Sequence, residues 1–403
     1  MKYLFFALLF LLFPFLTNAQ SKNIVIGTID TVYSKVLNEK RAVWIYQPNH
    51  DASSIKNKKR YPVIYLLDGD WHFYSVVGML QQLSFINGNV ICPEMIVVGI
   101  TTTDRFKDFT PTCDSTISPT SGGNKKFISF IEKELIPYID SSYPTEPYRL
   151  LIGHSLGGLT VINTMEHNTD LFKAYVAIDP SMWWNKQNAL KETTKILSEK
   201  KFENVRLFLG IANSMDPGMD TIKVQKDTTR NTLHIRSILE LAKQLKLNTQ
   251  NKLNYKYKYY KDENHGSVPL IATYDALHFI FDFYNLPLTK KDYSDTSMNL
   301  AYKIEKHYKN ISEKMGYKIS PSESIINTLG YNALMMKNRA LAEYFFRMNL
   351  ANFPKSSNAY DSFGDYYLEL GDETNAIVMH KKALSLTENA ETRKKLDKIL
   401  KNK

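Results

Sequence analysis

Residues 148–160 read YRLLIGHSLGGLT, with Ser155 set between Gly153 and Gly157 directly after an apolar run. A Gly-x-Ser-x-Gly pattern in that position marks a strand that turns sharply into a helix and holds its serine at the strained tip. A side chain at either glycine would collide with the neighbouring strand or helix. A serine hydroxyl is a poor nucleophile until a base, usually histidine, takes its proton and an acid orients that base. On such a turn the acid and then the histidine follow the serine in the chain. His167 is too close to Ser155, His234 and His278 sit in amphipathic helix patterns, and His307 and His380 fall in a later helical region. His265, in the loop DENHGSVP, is the expected base. The acid is expected after the preceding strand, where SMDPGMD offers Asp216 and Asp220. Asp216 is the first choice, and Glu263, two residues before His265, is a third candidate. Turn formation is the competing role for all three.

A tetrahedral intermediate needs preorganised N–H donors for its oxyanion. One is expected from the amide of Leu156, the residue after the serine. The other is expected from the loop around Gly69, Asp70 and Trp71, with Asp70 at its centre. Trp71, and Trp183 and Trp184 in DPSMWWN, are candidate walls of a substrate pocket, and the last two could equally be core.

These residues need a frame. AVWIYQP (42–48), PVIYLLDG (62–69), MIVVGI (95–100), RLLIGHS (149–155), AYVAID (174–179), VRLFLGIAN (205–213) and LNYKYKYYKD (253–262) read as strands. Several are apolar throughout, as parallel strands covered on both faces are. Helical patterns at 71–84, 124–140, 156–168, 186–200, 230–246 and 267–284 separate them. Alternating strands and helices predict an α/β sheet with right-handed crossovers. After NLPLTKKDYSD (285–295) only helical patterns remain. Gly330 and Gly364, and Ala342 and Ala376, recur 34 residues apart. That period, with a small residue in each second helix, predicts a tetratricopeptide-like module leaning on the first domain. The expected division is 1–19, 20–290 and 291–403.

Lys2, an apolar run of about 14 residues from Tyr3, and Thr17-Asn18-Ala19 read as a secretory signal peptide cut after Ala19. The run is shorter than the roughly 20 residues of a membrane-spanning helix. An exported, periplasmic or secreted protein with no transmembrane segment after cleavage is therefore expected. Two cysteines, Cys92 and Cys113, could pair but are no disulfide framework. The net charge of +10 is spread along the chain and densest in the tail TRKKLDKILKNK. No zinc-finger spacing, phosphate-binding loop or nucleic-acid motif accompanies it, so no nucleic-acid partner is expected.

VIYLLDGD, RFKDFTPT, SGGNKKFISFIEKELIPYID, GHSLGG, DPSMWW and ENHGSVP, in that order, resemble the esterase D-type α/β-hydrolases. That group includes ferric enterobactin esterases and S-formylglutathione hydrolases. The resemblance covers roughly residues 24 to 285. It implies an α/β-hydrolase fold, a mostly parallel sheet flanked by helices, followed here by the all-α module. It further implies carboxylic-ester hydrolysis without metal or cofactor, Ser155 as nucleophile and His265 as base. The expected substrate is a small-molecule ester, siderophore-like or an acylated carbohydrate, and the helical repeats could recruit a protein partner. An acyltransferase using the same serine, or a non-catalytic binding scaffold, are the alternatives.

Overall fold

The computed structural model describes residues 23–48, 59–295 and 297–401. The signal-peptide expectation lies outside these residues. Eight strands form one sheet in the order β1-β2-β4-β3-β5-β6-β7-β8. They are β1 (Thr28–Ser34), β2 (Glu39–Tyr46), β3 (Tyr61–Leu67), β4 (Ile96–Ile100), β5 (Thr145–His154), β6 (Ala174–Ile178), β7 (Arg206–Ala212) and β8 (Asn254–Tyr260). β2 runs antiparallel to β1 and β4, and all other pairs are parallel. The fold is thus the expected α/β-hydrolase sheet with a helical tail. One strand escaped the sequence reading. TIDTVYS, which forms β1, exposes most of its residues on the sheet edge and carries no apolar run.

β3, β4 and β6 are buried at every position, as strands covered by helices on both faces must be. β8, at the opposite edge, alternates partly buried tyrosines with exposed lysines. Outward lysines keep such an edge from pairing with another chain. The helices are α1 (Gly69–Ser84), α2 (Arg105–Phe109), α3 (Asn124–Phe130), which runs through a π-helical turn into α4 (Ile136–Ser142), α5 (Leu156–His167), α6 (Trp184–Glu199), α7 (Leu233–Leu247) and α8 (Val268–Ile280). On one face of the sheet Phe109, Phe127, Phe130 and Ile238 pack with the side chains of α5. On the other face α1 and α8 bring Phe73, Leu80, Leu277 and Phe281 onto the sheet. Cys92 is buried, Cys113 is exposed, and both are free thiols, so the pairing considered from sequence does not form.

After the short α9 (Lys290–Ser294) come α10 (Asn299–Met315), α11 (Glu323–Met335), α12 (Arg339–Asn352), α13 (Ser357–Glu369), α14 (Glu373–Leu386) and α15 (Ala390–Lys401). α13 and α14 repeat α11 and α12 at an offset of 34 residues in both their first and last positions. The caps repeat too: Ser322 and Ser356 accept from the amides three residues on, and so do Asn338 and Asp372. A Cβ on Gly330 would lie 2.8 Å from the Phe346 ring, and one on Gly364 2.6 Å from the His380 ring. Each hairpin therefore closes by laying a ring on a glycine. α10 joins this array to the sheet domain. Met315 is buried among the α1 and α8 side chains, and His307 Nε2 lies 3.1 Å from the Tyr284 carbonyl.

Glu166, near the end of α5, is buried, and one of its carboxylate oxygens has no hydrogen-bond partner among the described residues. Burial pushes its pKa up to about 8. The folded chain therefore holds a proton there that the unfolded chain releases near pH 4.5. Stability from this group is fully present below that pH and is lost as pH rises through about 8. Thermal melts should show Glu166→Gln gaining several degrees on the parent between pH 5 and pH 9; a constant difference would contradict the burial of an ionisable group there.

Candidate active site

β5 ends at His154 and α5 starts at Leu156, so Ser155 alone makes the turn, at φ 58° and ψ −118°. A Cβ on Gly153 would lie 2.4 Å from the Gly157 carbonyl oxygen, and one on Gly158 3.0 Å from that of Ile178. The expected crowding is thus sharp at Gly153 and shifts from Gly157 to Gly158. At Gly157 the nearest atoms, Asp68 Oδ2 and Leu67 Cβ, stand 3.4 Å away. The tip is pinned by its own backbone. Ser155 N–H donates to the Ile178 carbonyl at 3.0 Å, and the Ser155 carbonyl accepts from Ser181 at 3.0 Å.

Ser155 Oγ lies 3.1 Å from His265 Nε2. His265 Nδ1 lies 2.6 Å from Asp179 Oδ2. A carboxylate only accepts, so Nδ1 carries the proton and Nε2 faces the serine as acceptor. Asp179 follows β6, is fully buried and has φ 42°. Its Oδ1 accepts the Ala212 amide at 2.9 Å, and its Oδ2 also meets His234 Nε2 at 2.8 Å. Burial alone would raise its pKa. The bonds from His234, His265 and Ala212 outweigh burial and hold the carboxyl well below the usual carboxylate range. His154, buried with its ring centroid 4.5 Å from that of His265, is pushed down to about 3 by burial, with the neighbouring His265 and His72 adding to it. It is therefore a neutral ring at neutral pH.

The expected acid is corrected by this geometry. Asp216 is exposed, and among the described residues its carboxylate makes no hydrogen bond. Asp220 caps its own turn, accepting from the amides of Ile222 and Lys223. Glu263 meets the end of β7 only through its carbonyl, which accepts the Asn213 amide at 2.7 Å. β7 therefore braces the His265 loop, with Asn213 Nδ2 also on the Lys261 carbonyl, and β6 supplies the carboxylate. Two residues of the constellation were missed. Asp179 was read only as the end of an apolar strand, although an acid closing a wholly buried strand is itself a signal. His234 was read only as a packing or surface residue of an amphipathic helix.

Asp70 is exposed in the first turn of α1. Asp68, two residues earlier, sits at φ 51° and is gripped by Arg105 at 2.8 and 2.9 Å. The contact of Gly157 with Asp68 sets the starts of α1 and α5 side by side. First-turn amides have no acceptor within their own helix. The Leu156 and Asp70 amides have no hydrogen-bond partner among the described residues. Trp71 is 63% exposed, with the Arg105 guanidinium 4.9 Å above its ring. Trp183 is half-buried. Trp184 is corrected to a core residue, fully buried with its Nε1 donating to the Thr112 carbonyl at 3.0 Å.

Asp179, His234 and His265 also offer the donor types of a metal site, as do Asp361, Asp365 and His380 in the helical region. In the first group the 2.6 and 2.8 Å separations are those of N–H···O bonds. In the second, the Lys395 ammonium already bridges both carboxylates at 2.8 and 2.7 Å.

The chain is similar to proteins of known sequence and structure. The chain is 37% identical over 165 residues to "Ferri-bacillibactin esterase BesA" of Bacillus subtilis, covering 36% of this chain and 56% of that protein. It spans about half the length of the curated relatives it matches. The crystal structure of an IroE-like serine hydrolase from Shewanella oneidensis superposes with a TM-score of 0.66 at 28% identity, over 81% of this chain and 99% of that one. An uncharacterised protein from Capnocytophaga ochracea shares the fold over 93% of this chain and 99% of its own, with a TM-score of 0.62 at 18% identity. Among the described residues no helix is long and apolar enough to cross a membrane. Residues 34–268 match the family described as "Putative esterase", and the chain belongs to that family.

Proposed function

We propose that this protein is an exported serine esterase that cleaves carboxylic esters of the siderophore type through an acyl-enzyme. The observation that carries this reading is the continuous line from Ser155 Oγ through His265 to Asp179, 3.1 and 2.6 Å, at a strained strand-to-helix tip. His265 Nε2 takes the Ser155 proton as Oγ attacks the ester carbonyl. Asp179 stabilises the imidazolium that forms and keeps the ring in its reactive tautomer. The amides of Leu156 and Asp70 receive the oxyanion. His265 then gives its proton to the departing alkoxide. It next takes a proton from water as that water attacks the acyl carbonyl, and returns it to Ser155 Oγ as the acid departs.

The siderophore assignment draws on the relatives named as esterases of ferri-bacillibactin, of enterobactin and of triacetylfusarinine C. Exposed Trp71, its ring backed by the Arg105 guanidinium that Asp68 holds, adds an aromatic wall that suits a flat substrate. The export assignment rests on the signal-like residues 1–19. The 34-residue helical hairpins are assigned to a tetratricopeptide-like module that offers a surface to a protein partner.

A fluorophosphonate probe should add once to the protein and not to Ser155→Ala, as read by intact mass. Across siderophore, feruloyl, acetyl-sugar and short acyl nitrophenyl esters, kcat/KM should favour a ferric siderophore ester by at least about tenfold. Equal or better turnover of the sugar esters would reassign the substrate, and a folded but unlabelled protein would remove the enzyme reading. Asp179→Asn should lower kcat by about 10⁴-fold. Asp216→Asn, Asp220→Asn and Glu263→Gln should each stay within about tenfold of the parent. Loss of activity in Asp216→Asn alone would restore the acid to the loop after β7.

A further inference from the structure

Asp179 Oδ2 is shared by two imidazoles, and only one of them reaches the serine. His234 Nε2 lies 2.8 Å from the oxygen that His265 Nδ1 contacts at 2.6 Å. The carboxylate can only accept, so both nitrogens carry protons toward it. The two rings are nearly perpendicular, at 87° with centroids 5.1 Å apart. A carboxylate oxygen has two lone pairs, so one oxygen can accept from both rings.

The acid needs such support because of where it stands. Asp179 leaves β6 at positive φ, on a loop rather than inside the strand. The Ala212 amide fixes only Oδ1. Without a second anchor, Oδ2 would be held by His265 alone, and acid and base could swing together away from Ser155. His234 is the second residue of α7, whose first turn is packed by the buried Ile235 and by Thr232, itself bonded to Asp227 at 2.6 Å. The Leu233 amide, which opens the helix, donates to the Arg230 carbonyl at 3.2 Å, so the helix start that carries His234 is anchored by its own loop. His234 makes no contact with Ser155 among the described residues.

We propose that His234 is a positioning residue of the esterase, fixing the Asp179 carboxylate so that His265 stays aimed at Ser155. This rests on the assignment of Ser155, His265 and Asp179 as the reacting line. The second donor takes a share of the Asp179 charge, which weakens its pull on His265; the gain is a single orientation of the acid. Where orientation dominates, losing His234 lowers turnover and leaves substrate binding alone.

A double-mutant cycle on the full-length protein tests this. His234→Leu should lower kcat by about 10- to 100-fold with KM within about twofold. His234→Gln, whose amide can donate to the same oxygen, should recover kcat to within about threefold of the parent. In an Asp179→Asn background, His234→Leu should cost less than about a further twofold, because the group it acts through is already gone. Thermal melts of each variant report folding, and His234→Gln supplies a folded comparison should His234→Leu be unstable. Additive losses in the two backgrounds, a raised KM with kcat unchanged, or failure of a folded His234→Gln to recover kcat would each overturn the proposal. An Asp179→Asn enzyme with full activity would instead remove the assignment of the acid, and the role of His234 with it.

Discussion

An ionised carboxylate cannot lie in a protein interior unless donors replace the water it gives up. In this molecule that carboxylate is Asp179, with no exposed surface at the end of β6. Its donors come from three separate places: the end of β7, the first turn of α7 and the loop that carries His265. Each of these segments is held to the others through one charge. Removing a partner from a buried charged network of this kind typically costs about 3–5 kcal/mol. The charge that holds His265 is thus also a structural knot, tying the ends of β6 and β7 to α7 and to the loop after β8.

Ser155, the proposed nucleophile, is placed by a different constraint, the absence of side chains. β5 and α5 approach so closely that Gly153 faces the backbone of Gly157, and Gly158 faces the end of β6. Ser155 pays for this with a positive φ, a strain of about 1–3 kcal/mol for a residue with a Cβ. Hydrogen bonds from its amide and to its carbonyl offset the strain, and both partners lie at the end of β6. β6 therefore serves both functions. Its last carbonyl pins Ser155, and the next residue is Asp179, which holds His265. A Cβ on Gly157 would lie 3.4 Å from Asp68 Oδ2, so the residue before α1 and the first turn of α5 are neighbours.

The helical region follows a simpler rule, because a repeat copies its contacts as well as its residues. Caps, helix limits and glycine-on-ring contacts recur at the same spacing in both hairpins. The ring differs: Phe346 in the first hairpin becomes the buried His380 in the second. Its Nδ1 meets Asp361 at 3.0 Å, and the Lys395 ammonium from α15 completes the cluster. The last helix is thereby tied to the array by charge as well as by Leu396 and Ile399.

The sequence by itself placed Ser155 on its strand-to-helix turn and His265 in the loop that meets it, and it marked seven of the strands and the 34-residue repeat. Each is written locally, as a glycine-flanked turn, a loop histidine, an apolar run or a fixed period. The edge strand β1 was illegible because half-exposed polar residues carry no periodic signal. Trp184 could not be told from a pocket residue, since a large aromatic suits either place until its neighbours are known. The acid was decided only by tertiary structure. Asp179 and Asp216 both close the same kind of strand-to-loop step in the chain. Which carboxylate meets His265 depends on how far the loop after β8 reaches back across the sheet, and it reaches past β7 to β6. The place of His234 is of the same kind. Nothing in a helix's own pattern says that its second residue will meet a charge 55 positions earlier; only the packing of α7 against the ends of two strands puts it there.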